Sequence, residues 1–115
     1  MTKPKKRELS LEDIVHLAND AGMAYVKAKR DAERCDLLKP VERARAMEKY
    51  DDGKRSESKI RRLAEMDEDY ISFLEKLTEA RLRCETCRVR YESYKNLFEA
   101  KRSMLSYQKA EMSLL

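Results

Sequence analysis

The chain has 115 residues, with 26 Lys+Arg against 22 Asp+Glu, a net charge of +4, two Gly, two Pro and no Trp. Charged residues make up 42% of it, a composition that suits long, surface-rich helices and argues against a sheet protein. Two glycines cannot build a glycine-rich phosphate loop, and no apolar run approaches the ~20 residues that span a bilayer.

The charges are not spread evenly. Residues 1–7 carry four basic groups and no acid, residues 39–62 nine basic and five acidic, and residues 80–110 eight basic and three acidic. Residues 63–79 reverse the sign, with six acids and one Lys. Such separation builds local fields that the net charge hides.

Residues 1–9 read as a basic tail expected to be disordered, either a solvated end or an arm that contacts phosphate. No apolar signal-peptide region follows it, so the expected location is the cytoplasm. From Ser10 onward the sequence reads as a single helical domain ending at residue 115. Ser10 suits a helix N-cap, with Asp13 three residues on as a shortened capping box.

A first helix is expected over residues 11–38. Leu11, Ile14, Ala18, Ala21, Tyr25, Ala28, Ala32 and Cys35 recur in strict three-four steps, the mark of a narrow packing seam. The many alanines call for close approach of a facing helix. Gly22 is a weak point, costing about 1 kcal/mol relative to Ala. Pro40 is expected to break or kink the chain and to start a second helix over residues 41–50. Asp51-Asp52-Gly53 stops that helix. A short third helix follows over residues 56–65, and Asp67 or Asp69 caps the last one.

That last helix, over residues 68–112, carries the longest seam: Tyr70, Phe73, Leu77, Ala80, Cys84, Cys87, Tyr91, Tyr94, Phe98, Lys101, Leu105, Gln108, Met112 and Leu115. Only Lys101 and Gln108 break its apolar character. At 1.5 Å per residue it spans roughly 70 Å, so it needs partners along its length. The fold class is therefore all-α: a long N-terminal helix, short middle helices and a long C-terminal helix, packed in coiled-coil fashion within a homo-oligomer. Cys84, Cys87, Tyr91, Tyr94, Phe98, Leu105 and Met112 are the expected oligomerisation residues.

Chemistry-bearing motifs are few. Cys84-Glu85-Thr86-Cys87 is a C-x-x-C, but both sulfurs fall on the seam, where a buried thiol packs as a small hydrophobe; a redox role stays open. The other candidate zinc ligands, Cys35 and His16, sit nineteen residues apart on one helix, roughly 28 Å, too far to share one ion. His16 has no nucleophile or acid placed to make it a catalytic base. No assembled acid/base constellation is present, so neither catalysis nor a cofactor is expected.

Arg81, Arg88, Lys95, Arg102 and Lys109 recur every seven residues, with Arg83 and Arg90 on the other flank. Glu85, Glu92 and Glu99 stand three residues before Arg88, Lys95 and Arg102, spacing that supports a helix through ion pairs. The other basic cluster is Arg43, Arg45, Lys49, Lys54, Arg55, Lys59, Arg61 and Arg62, with Tyr50 among them. Cations on a short helix and loop can follow a flexible phosphate backbone, and a tyrosine among them can stack on a base without reading sequence. The alternative is a solvated surface.

In layout the chain resembles the UvsY-like recombination mediators of T-even phages. The resemblance rests on Ala-Gly-Met-Ala-Tyr-Val-Lys-Ala (21–28), a basic helix ending in Tyr-Asp-Asp-Gly (50–53), Ser-Glu-Ser-Lys-Ile-Arg-Arg-Leu-Ala-Glu (56–65), Asp-Glu-Asp-Tyr (67–70) and the long terminal helix. It covers most of the chain from about Leu9. It implies a non-catalytic protein, in the host cytoplasm if phage-encoded. Such a protein binds single-stranded DNA and helps load a recombinase onto strands coated with single-strand-binding protein. It also implies a ring-like homo-oligomer held by the C-terminal helix. The family's basic stretch before its Gly-containing loop matches Arg43-Ala44-Arg45-Ala46 here, with Arg for Lys and Ala for Leu, and with one residue inserted before Tyr50. The competing expectation is a coiled-coil scaffold or adaptor with no nucleic-acid role.

Overall fold

A computed structural model describes residues 8–114; the expected tail over residues 1–7, and Leu115 of the long seam, lie outside them. The described residues form three helices and no strand: α1 (Leu11–Tyr50), α2 (Glu57–Glu65) and α3 (Glu68–Leu114). Each helix starts on a side-chain cap. Ser10 and Asp13 exchange bonds, the Asp13 N–H donating to Ser10 Oγ at 3.1 Å and the Ser10 N–H to Asp13 Oδ2 at 3.0 Å. Ser56 Oγ accepts from the Lys59 N–H at 3.3 Å, and Asp67 Oδ2 accepts from the Tyr70 N–H at 3.0 Å. In all three the oxygen reaches the third helical residue and satisfies an amide that the helix cannot.

The expected break at Pro40 does not occur: residues 11–38 and 41–50 belong to one helix, and Pro40 lies inside it. Pro40 lacks the N–H that would bond the Asp36 carbonyl. Both residues are on the exposed side of α1, where water can take the freed carbonyl. Residues 36–41 are all exposed, and packing resumes in register with the seam at half-buried Glu42 and buried Ala46; that burial on the far side outweighs the local preference of one solvent-facing proline.

Two compact units divide the helices. The first, Val26–Glu85, holds the end of α1, all of α2 and the start of α3. Its core contains Ala28, Ala32, Ala46, Ile60, Ala64, Tyr70, Leu77 and Ala80. Ala46, Ala64 and Tyr70 form one cluster, one residue from each helix, with Met47 and Leu74 packed against it. Small residues on α1 and α2 let the larger Tyr70 and Leu77 fill the space between backbones. An Arg81–Asp36 ion pair joins α3 to α1 within this unit.

The second unit pairs the residues up to Tyr25 with those from Thr86. Ile14 and Ala21 are its buried residues, and Cys87, Tyr91, Tyr94 and Phe98 are half-buried. Lys101 ends the packed stretch, donating to the Leu9 carbonyl. Beyond it every residue to Leu114 is exposed, including the seam residues Leu105 and Met112. The apolar repeat thus outlasts the segment it packs against.

Gly22 has a purpose in this unit. A Cβ built there meets Tyr91 Cε1 at 3.3 Å and Cζ at 3.5 Å, so the ring lies close on the α1 backbone. Tyr91 also meets the Tyr25 ring at 6.3 Å between centroids and lies under Lys95 Nζ at 5.1 Å, within cation–π range. The clash would fall on the far end of a half-buried side chain that can shift. Gly22→Ala should therefore be mildly stabilising, by less than the ~1 kcal/mol that helix propensity alone gives. A lowered melting temperature would show the ring to be fixed.

Candidate nucleic-acid interface

The basic residues expected to bind a strand all lie in the first unit, and the structure separates them into three groups. One group belongs to the junction where α1 ends and α3 begins. Asp67 is only 5% exposed and caps α3. Its Oδ1 accepts from Tyr50 Oη at 2.9 Å and Lys49 Nζ at 3.1 Å, and Lys49 also reaches Asp69 at 2.6 Å. Burial pushes the Asp67 carboxyl up. The Tyr70 N–H, Lys49 and Tyr50 outweigh burial and hold it below the usual carboxylate range. Bonds from Lys49 to Asp69 and Asp67 hold its ammonium well above the ordinary lysine value, and the Asp67 bond, with burial, raises Tyr50. Lys49 and Tyr50 are thus engaged in closing the fold, with the tyrosine hydroxyl fixed and its ring half-buried.

A second group occupies the 51–56 turn and the outer sides of α2. Gly53 takes φ 77°, the left-handed region that glycine adopts without strain. Asp51 Oδ1 accepts from the Gly53 N–H, and Asp52 Oδ1 from the Lys54 and Arg55 N–H groups; those two amides hold Asp52 below its ordinary value. Arg55 donates to the Tyr50 carbonyl at 2.9 Å. Lys54, Lys59 and Arg62 make no side-chain ion pair among the described residues. Around α2, Lys59 and Arg61 are about 200° apart, so they cannot serve one surface together.

The third group lines one cavity. Lys39, Arg43 and Arg61 line an open groove of about 540 Å³ together with Pro40, Ala44 and Met47. Lys39 and Arg43 are four residues apart and therefore neighbours on one face of α1, while Arg61 comes from α2. Arg43 is 3.7 Å from Glu65, and Arg61 is 3.2 Å from Glu57. Lys39 has no ion pair among the described residues. The sequence alone does not single it out, because a break at Pro40 would place it on a different element from Arg43. Arg45 lies about 200° around α1 from Arg43 and pairs with Glu42 at 3.0 Å. The Arg43-Ala44-Arg45-Ala46 stretch thus splits: Arg43 and Ala44 line the groove, Arg45 faces away, and Ala46 is in the core.

The other cationic stripe is largely engaged within the helices. Arg81 pairs with Asp36, Arg88 with Glu92 at 3.0 Å and Arg102 with Glu99 at 3.3 Å, while Lys95 covers Tyr91. His16 is an exposed residue 3.9 Å from Glu12. Cys35, Cys84 and Cys87 are free and half-buried. Among the described residues no group of three or more His, Cys, Asp and Glu could hold a metal ion, and no helix is long and apolar enough to cross a membrane. No family model, curated protein or solved structure matches the chain.

Proposed function

We propose that this protein is a non-catalytic binder of single-stranded DNA that acts as a recombination mediator, helping a recombinase onto strands coated with single-strand-binding protein. The observation that carries the reading is the groove lined by Lys39, Arg43 and Arg61 together with Pro40, Ala44 and Met47. Three cations from two helices can follow the phosphates of a flexible strand, and the apolar side chains among them can take contact with an unpaired base. Lys54, Arg55, Lys59 and Arg62 add positive field on the same unit. The exposed stretch of α3, with Leu105 and Met112, supports a homo-oligomer. Repetition of a weak groove in each copy would raise its grip on one long strand through avidity.

Anisotropy of a fluorescent single-stranded oligonucleotide at several salt concentrations, beside a duplex of equal length, tests this reading. Binding that prefers the single strand and weakens steeply with salt is the expected result. Absence of binding at low salt would leave the coiled-coil scaffold or adaptor as the better reading, favoured by the paired α3 stripe.

A further inference from the structure

Two of the three cations in the groove are already held by carboxylates of α2. Glu65 sits 3.7 Å from Arg43 and Glu57 3.2 Å from Arg61, and both acids are more than half exposed. The three cations that line the groove therefore have two carboxylates beside them. Glu57 lies one helical turn before Arg61, on the same side of α2. Glu65 lies one turn after Arg61, so the acids bracket the cation along the helix. We infer that Glu57 and Glu65 are affinity-setting residues that a phosphate backbone must displace before it can occupy the groove. This rests on the nucleic-acid reading of that site.

The physical reason is competition at short range. An exposed ion pair is weak, so incoming phosphates can replace the carboxylates on Arg43 and Arg61. The freed carboxylates stay beside the strand, well within the ~10 Å over which charges act at 0.1 M salt. Their repulsion keeps each groove weak, so retention on a strand depends on many copies acting together. Lys39 carries no such acid among the described residues and is the cation open to the first phosphate contact.

Glu57→Gln with Glu65→Gln removes both charges and keeps side-chain shape. Measured by anisotropy on a fluorescent single-stranded oligonucleotide, the double variant should bind roughly tenfold more tightly at low salt, with the gain shrinking as salt screens it. Glu65→Gln alone should give part of that gain; it leaves the first turn of α2 untouched and guards against a folding defect from the change at Glu57. Asp20→Asn with Asp31→Asn is the charge-matched control, about 12 Å or more along α1 from Lys39 and farther from Arg43. A gain confined to the groove variants supports the inference, as does binding that appears only when the acids are removed. Unchanged affinity in the groove variants, or an equal gain in the control, overturns it while wild-type binding leaves the single-strand reading standing. Failure of wild type and both groove variants to bind at low salt overturns both.

Discussion

Asp67→Ala should lower the melting temperature by roughly 10 °C, a shift that a cap and its dependent bonds can produce in a unit this small. One side chain closes three contacts: the Tyr70 amide, the Tyr50 hydroxyl and the Lys49 ammonium. Tyr70 is itself a core residue in the cluster with Ala46 and Ala64, so its amide loses its partner where water has little access. Asp67→Asn retains an oxygen for the amide and should cost about half as much. Equal melting temperatures for wild type and Asp67→Ala would show the junction to be dispensable.

The pH dependence of the same junction has a definite sign. Asp67 is held below its ordinary pKa in the fold. Its contribution is therefore present above the unfolded carboxylate value near 3.9 and is lost as pH falls through the folded value. Lys49 and Tyr50 are raised. Their contribution is complete below their unfolded values, near 10, and is lost as pH rises through the folded ones. Thermal melts should therefore be flat between about pH 5 and 9, fall on both sides, and lose part of the acid limb in Asp67→Asn.

The two seams are legible in the sequence because burial in a helix follows a simple period. From Leu11 to Cys35, and from Tyr70 to Lys101, the three-four steps select residues that are buried or half-buried. The caps are legible for the same kind of reason, since a hydroxyl or carboxylate three residues before an amide is a local arrangement. Pro40 misleads because its local cost stands out in the sequence, while the packing that resumes past it at Glu42 and Ala46 does not. That one error hides Lys39. Arg43 and Arg45 look like a pair for another reason, since the resemblance matches them as one stretch, although helical geometry puts them on opposite flanks. Lys49 and Tyr50 mislead for a different reason: their partner, Asp67, is seventeen or more residues away in sequence. In the sequence Asp67 reads only as a helix cap, with no sign of the cross-helix bonds. Gly22 likewise looks like a defect until Tyr91 is placed against it.

Replacing Lys39, Arg43 and Arg61 together by Ala should produce the largest functional loss. Each phosphate contact on a single strand contributes about 0.7 to the slope of log affinity against log salt, so three contacts remove a slope of about 2. With wild type and variant converging near 1 M salt, that slope means a deficit of roughly fifty-fold at 0.15 M and several hundred-fold at 0.05 M. The slope is the decisive quantity, because a folding defect would lower active concentration without changing it. Arg45→Ala gives the internal contrast. Its guanidinium pairs with Glu42 on the other flank of α1, so its removal should leave most of the slope in place. A triple variant with wild-type slope, or an Arg45→Ala variant that loses as much as Arg43→Ala, would move the strand off the groove. In the second case the binding surface would be the whole circumference of the α1 end, a diffuse field with no built site.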